Sequence, residues 1–222
     1  MTQQIPLPLP HKVAMSADDF VVTSSNQEAT MWIQQWPQWP SVCSVIHGPS
    51  GSGKTHLMHM WLAKSHGKAL TSHDLLRNEP GALIMSNRNI AIDDAQQIAT
   101  NPVAEEALFH LYNALKETGG SLLLTAEKPP AKWPVQLADL RSRLNAAPAL
   151  GIHAPDDELL TMLLIKQFHD RQIDVGMDVV TYIVPRIERT TQALREVVNK
   201  LDQAALSESR GITIALARRL LS

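Results

Sequence analysis

The sequence predicts an α/β fold, a parallel sheet covered by helices, followed by a small all-α unit. Three observations predict it. Short apolar strands alternate with helices between Val42 and His153, a glycine-rich loop joins the first strand to its helix, and after Pro155 the pattern turns to helices alone. At 222 residues, 44% hydrophobic and 19% charged, the chain can bury a sizeable core.

The elements follow in order. Residues 1–12, MTQQIPLPLPHK, place three prolines in five positions, which forbids helix and hinders strand pairing, so this is an extended tail. A helix is expected over Gln27–Gln35, closed by Trp36-Pro37-Gln38-Trp39-Pro40. Strands are expected at Val42–Ile46, Lys68–Thr71, Asn89–Asp94, Ser121–Ala126 and Ala149–His153. Helices are expected at Thr55–Ser65, Val103–Glu117 (stopped by Gly119-Gly120) and Ala138–Leu144. The all-α part should hold helices at Asp156–Arg171, Asp178–Glu188, Thr191–Leu206 and Thr213–Leu221. The organisation is then a tail over 1–12, an α/β unit over 13–155 and a helical unit over 156–222.

Charge and composition narrow the function. A net charge of −2 argues against broad electrostatic binding to DNA, although a local basic patch remains open. A single cysteine, Cys43, excludes an internal disulfide and reads as a buried strand residue. The expectation is a cytoplasmic chain, with neither a secretory signal nor a membrane span.

The chemistry centres on Gly48-Pro49-Ser50-Gly51-Ser52-Gly53-Lys54-Thr55, a full G-x-x-x-x-G-K-T pattern between a strand and a helix. Glycines let backbone N–H groups turn inward around phosphate oxygens, and the helix N-terminus adds its partial positive charge. Lys54 should reach the β- and γ-phosphates, and the Thr55 hydroxyl is placed for Mg²⁺. Ile92-Asp93-Asp94 supplies carboxylates at the end of a buried strand. Asp93 would hold Mg²⁺ through water and Asp94 would polarise an attacking water. Alone, such a pair also fits a solvated loop; beside the phosphate loop the functional reading prevails.

Other residues read more plainly. His56 and His59 lie at i, i+3 on the helix after the loop, but no third metal ligand matches them. Trp32, Trp36 and Trp39 could stack on bases, yet packing on the core is the simpler expectation. Met58, Met60, Trp61 and Leu62 read as core, and Leu194, Val197, Val198 and Leu201 form an apolar helical stripe flanked by Arg195. From spacing alone, Arg141 and Arg143 fit a surface pair closing a short helix.

The order of phosphate loop, Ile92-Asp93-Asp94, Leu122-Leu123-Leu124-Thr125, Leu140-Arg141-Ser142-Arg143-Leu144 and Leu194-Arg195-Glu196 resembles the AAA+ branch of bacterial replication initiators, the DnaA family. The opening Asp19-Phe20-Val21-Val22, with Ser25-Asn26, resembles the family segment that lies against adenine, which implies nucleotide contact at Val21 and Val22. The resemblance covers about residues 13–222 and implies an adenine nucleotide, ADP or ATP, held with Mg²⁺ by Pro49, Ser50, Gly51, Ser52, Gly53, Lys54, Thr55, His56 and Arg195. It implies that Thr125 and Glu127 sense the γ-phosphate, with Glu127 departing from the commoner Asp, Asn or Ser. Arg143 matches the arginine finger that acts on a neighbour's nucleotide, and Arg195 the lid arginine that touches its own.

The expected chain ends with the lid and carries neither a helix-turn-helix DNA-binding domain nor a large N-terminal domain, as in the short Hda-type regulators of that family. Gln4-Ile5-Pro6-Leu7-Pro8-Leu9 strengthens this, because it resembles peptides that bind the bacterial DNA polymerase sliding clamp. Gln4 would hydrogen-bond at a pocket rim, and Ile5, Leu7 and Leu9 would be apolar anchors on a preformed extended backbone. By composition alone the same segment is a proline-rich tail. The expected partners are the clamp and DnaA, with DNA reached only through them, no membrane, and self-association open. The expected role is to stimulate ATP hydrolysis by DnaA, with weak turnover of its own. The rivals are an AAA+ loader or remodeller driven by its own Asp94-dependent hydrolysis, a docked scaffold in which nucleotide only holds the fold, and a DNA-binding initiator variant.

Overall fold

A computed structural model describes residues 20–208 and 210–221. The tail residues Gln4, Ile5, Leu7 and Leu9, and Asp19, lie outside the described residues.

Five parallel strands form one sheet: β1 (Cys43–His47), β2 (Lys68–Leu70), β3 (Asn89–Ile92), β4 (Ser121–Ala126) and β5 (Ala149–Gly151), in the order β2-β3-β4-β1-β5. β1 lies between β4 and β5, pairing Ile46 with Thr125 and with Leu150. Both faces are buried, which is why the strands read as apolar runs. Cys43, Val45, Ile90, Ile92, Leu122 and Leu124 face one helix layer, while Ile46, Ala91 and Leu123 face the other.

The first layer holds α3 (Ser72–Arg77), α4 (Pro80–Met85), α5 (Pro102–Thr118) and α6 (Ala138–Ala146), contributing Leu75, Leu83, Leu108, Leu111, Leu115, Leu140 and Leu144. The second holds α1 (Gln27–Gln35) and α2 (Lys54–Ser65), contributing Ala29, Ile33, Leu57, Met58 and Trp61. The tryptophans pack on this second layer. Trp39 stacks on Trp61 at 5.5 Å and on Trp32 at 6.1 Å, and Trp32 and Trp36 donate through Nε1 to Ser44 and Ser121. Cys43 is fully buried, which pushes its thiol up to about 12.

After Pro155 come α7 (Asp157–Asp170), α8 (Met177–Ile183), α9 (Thr191–Glu208) and α10 (Ile214–Leu221). They enclose a separate core of Leu160, Leu164, Phe168, Val180, Ile183, Leu194, Val198 and Leu201. Burying a Leu or Phe side chain here contributes roughly 1.5–3 kcal/mol before entropy is counted. Among the described residues, no helix is long and apolar enough to cross a membrane.

Several boundaries differ from expectation for local reasons. The third strand ends at Ile92 rather than Asp94, because Asp94 adopts a left-handed φ of 49°. β5 stops at Gly151, although the Ile152 N–H still reaches the His47 carbonyl. The helix expected over Asp178–Glu188 is α8 followed by a 3₁₀ turn at Val184–Arg186, since Pro185 lacks the N–H that would continue it. Two helices were not expected. α3 begins with a reciprocal Thr71–Asp74 capping box, and α4 begins with Pro80, a residue preset for a first turn.

Candidate nucleotide site at the sheet edge

The phosphate loop leaves β1 at the carboxyl edge of the sheet and becomes the first turn of α2. Gly51 and Gly53 have φ of 71° and 102°, backbone that residues with a side chain rarely adopt, and Gly53 is the N-cap of α2. Lys54 is only 7% exposed, and its Nζ donates to the carbonyls of Gly48 and Pro49 at 2.9 Å each. Burial lowers the Lys54 ammonium from its ordinary value, and Asp94, Asp93 and Glu127 work against that shift. The Ser52 hydroxyl is buried and has no hydrogen-bond partner among the described residues.

The carboxylates follow β3, which β4 separates from β1 in the sheet. The Thr55 hydroxyl donates to Asp93 Oδ2 at 2.9 Å, and the fully buried Thr125 hydroxyl donates to Asp93 Oδ1. Thr125 Oγ1 also accepts the Asp94 N–H at 3.1 Å. Asp93 is therefore fixed by two hydroxyls, whereas Asp94 turns outward on its left-handed backbone. Desolvation, then the neighbouring Asp93, raises the Asp94 carboxyl above the usual range, with Lys54 opposing and Glu127 adding. Glu127 is exposed just past β4, and its N–H donates to Gln96 Oε1 at 2.6 Å. His47, at the end of β1, is lowered by burial and then by His153 and Lys132.

This donor set fits a bound phosphate and its metal. An ammonium resting on loop carbonyls and an unpartnered buried hydroxyl face the phosphate loop. Thr55 and Asp93 offer hard oxygen donors of the kind Mg²⁺ takes, with water completing its shell. Among the described residues, no group of three His, Cys, Asp or Glu gathers as a metal site.

Two further segments meet this loop. The Phe20 ring lies edge-on to His56 at 5.0 Å, so the stretch containing Val21 and the half-exposed Val22 runs beside the start of α2. Asn26 holds that stretch by donating to the Val21 carbonyl at 2.9 Å. From the lid, the Thr191 N–H donates to the Gly51 carbonyl at 3.1 Å, and Thr190 packs against Gly51. Arg195 lies one helical turn after Thr191, on the same side of α9, and is partly buried.

Arg143 is elsewhere. Its guanidinium lies over the rings of Phe109 and Tyr112 of α5, at 4.9 and 5.0 Å, on the face of the sheet opposite α1 and α2. Arg141 instead donates to the Val135 carbonyl at 3.3 Å. Phe20 was read in the sequence as part of the stretch that resembles the family's adenine-side segment, whereas Gln96 and Thr190 were missed there. Only Thr190 left a trace, as an N-cap hydroxyl that accepts the Ala193 N–H, and nothing local announces its contact with the loop.

Comparison with known proteins sharpens this picture. Residues 156–221 match the family model "Hda, lid domain", and residues 82–153 match "Bacterial DnaA ATPase domain". A Haemophilus influenzae protein of uncharacterised function is 28% identical over 195 residues, covering 80% of each chain. The chromosomal replication initiator DnaA of Thermomicrobium roseum is 30% identical over 191 residues, 78% of this chain and 41% of that protein. The chain thus spans less than half the length of that initiator. Among solved structures, domain III of Thermotoga maritima DnaA superposes with a TM-score of 0.80 at 20% identity, covering 96% of this chain and 97% of that one. AMPPCP-bound DnaA from Aquifex aeolicus gives 0.74 at 16% identity, covering 86% and 66%. The sheet order, the loop at its edge and the helical unit leaning on that loop are those of the AAA+ class. Identity to these structures is too low to carry more than the fold. The family models carry the rest: the chain is an Hda/DnaA-like protein.

Proposed function

We propose that this chain is an adenine-nucleotide-binding regulator of chromosomal replication initiation that docks on the sliding clamp and stimulates ATP hydrolysis by DnaA. The observation that carries the reading is Arg143. Its guanidinium is held on two aromatic rings, makes no ion pair among the described residues, and lies on the opposite helix layer from α2. Such a cation suits a neighbour's nucleotide better than its own. There it would neutralise charge developing on the transferred phosphoryl, an effect of about 10³–10⁵ in rate in related systems.

The Hda-type lid on a DnaA-like core supports the same role. Two similar DnaA structures hold AMPPCP, which favours ATP or ADP here. Lys54, Ser52 and the Gly51–Gly53 backbone would bind its phosphates, and Thr55 and Asp93 would hold Mg²⁺. Val21 and Val22 would flank the base, and Arg195 would approach from the lid. Thr125 would act through Asp93 and Asp94, and Glu127 through its field on Lys54 and Asp94. Bound Mg²⁺ would supply charge neutralisation between phosphate oxygens. Gln4, Ile5, Leu7 and Leu9 would bring the chain to the clamp, so that DNA is reached through its partners. The unit boundaries at residues 12 and 155 belong to the same proposal.

The test is turnover of ATP bound to DnaA, with this chain and clamp loaded on DNA. The rate should rise with the wild type, and collapse for Arg143→Ala. A Gln4→Ala chain should need far more protein for the same rate. Robust turnover by this chain alone, indifferent to clamp and DnaA, would favour the loader reading instead.

A further inference from the structure

Arg143 is mounted on α6, and the start of α6 is poorly secured by its own sequence. The N-cap position is Leu137, a residue with no side-chain oxygen, and the helix has no side-chain cap of its own. The missing acceptor comes from another helix. Glu105 of α5 is 1% exposed, and its carboxylate accepts the Gln136 N–H at 3.1 and 3.0 Å and the Leu137 N–H at 2.8 Å. A buried acidic side chain is rare unless it is satisfied, and here backbone amides satisfy it. Its negative charge also meets the positive end of the α6 dipole.

The same helix cradles the arginine. Glu105, Phe109 and Tyr112 stand at i, i+4 and i+7, one stripe of α5. The first holds the entry to α6, and the other two hold the guanidinium of Arg143 two turns later. Glu105, Phe109, Gln136 and Leu137 also line an open cavity of about 400 Å³, so no further packing layer fixes the α6 entry from that side.

We propose that Glu105 is a positioning residue for Arg143: by gathering the amides of Gln136 and Leu137 it fixes the start of α6 and sets the guanidinium on Phe109 and Tyr112. Its importance for turnover rests on the proposed function, but the geometry does not. A fork of two carboxylate oxygens on two successive amides leaves α6 little freedom to slide or roll on α5. Without it, the helix would be seated mainly by apolar contacts, those of Leu140 and Leu144 foremost, and apolar contacts specify direction weakly.

The experiment is NMR of the full chain, read at two places. In the wild type, the Gln136 and Leu137 amides should exchange with solvent slowly, and the Arg143 side-chain protons should be shifted upfield by the two rings. Glu105→Gln, which keeps the volume but removes the negative charge and one of the two acceptor oxygens, should speed both exchanges and move the Arg143 protons toward random-coil positions. Wild-type amides exchanging as fast as an exposed loop would overturn the proposal with no variant needed, and so would an unchanged Arg143 signature in a folded Glu105→Gln chain. In the DnaA turnover assay, Glu105→Gln should lower the maximal stimulated rate roughly ten- to hundredfold, with an unchanged half-saturating concentration. Expected NMR behaviour from a wild type that fails to stimulate DnaA would remove the proposed function and leave Glu105 in its role.

Discussion

Thr190 of the lid packs against Gly51 of the phosphate loop so closely that a Cβ added at Gly51 would lie 2.7 Å from the Thr190 Cβ. Beside that contact, the Thr191 N–H donates to the Gly51 carbonyl at 3.1 Å. The loop that would grip phosphates and the lid that would cover them are therefore in direct contact through a residue with no side chain.

Gly51→Ala should therefore be costly twice. The residue's φ of 71° strains any side chain, and the new methyl would push Thr190 away. The left-handed backbone alone should cost about 1–2 kcal/mol, a fall in Tm on the order of 5 °C, measurable by thermal melting. Nucleotide affinity should fall with it, as the displaced lid carries Arg195.

Thr125→Val should destabilise the chain although it preserves volume. Losing the hydroxyl of the fully buried Thr125 leaves the part-buried Asp94 N–H and one Asp93 oxygen without their partner. The expected loss is about 1–3 kcal/mol, read as a lower denaturant midpoint at unchanged slope.

Lys54→Ala should silence the response to nucleotide. For the wild type, ATP at 100-fold over its Kd should add about 2.7 kcal/mol of stability, and the variant should show no rise in Tm at the same concentration. Because Lys54 opposes the upward shift of Asp94, the Asp94 carboxyl should titrate still higher in this variant, which carboxyl NMR shifts would show.

Asp94→Asn should stabilise the chain near neutral pH. The Asp94 carboxyl is raised in the folded state, so between its unfolded and folded values the native chain binds more protons than the unfolded one. Stability contributed there declines as pH rises through the folded value, and at neutral pH the ionised group is a net burden. Asparagine removes the charge and tolerates the left-handed backbone at φ 49°. The gain in Tm should fade as pH drops through the carboxylate range. A gain independent of pH would sink this account.

Much of this was legible in advance, and the pattern of success is physical. Strands and helices with strong periodicity, such as Ser121–Ala126 and the stripe from Leu194 to Leu201, needed only side-chain alternation to be found. The phosphate loop was legible because its chemistry is local, with glycines, lysine and threonine adjacent in sequence. Asp94 was placed on a strand that ends at Ile92, because a left-handed aspartate has no signature among its neighbours. α3 and α4 are short, and short helices depend on packing rather than on periodicity. Glu105 looked like any acidic residue in the first turn of a helix. Its role depends on amides 31 and 32 residues away, which no local pattern encodes.

The tryptophan arrangement has a practical corollary. All five indoles lie before residue 134 and none lies in the helical unit beyond Pro155. With Trp39 and Trp61 stacked at 5.5 Å on one side of the sheet and Trp133 in the opposite layer, selectively excited tryptophan emission watches the sheet and its two helix layers while remaining blind to α7 through α10, where Tyr182 lies. A melt followed by fluorescence and by far-ultraviolet dichroism therefore separates the two cores optically. If the dichroism moves first, the lid is letting go while the sheet still holds.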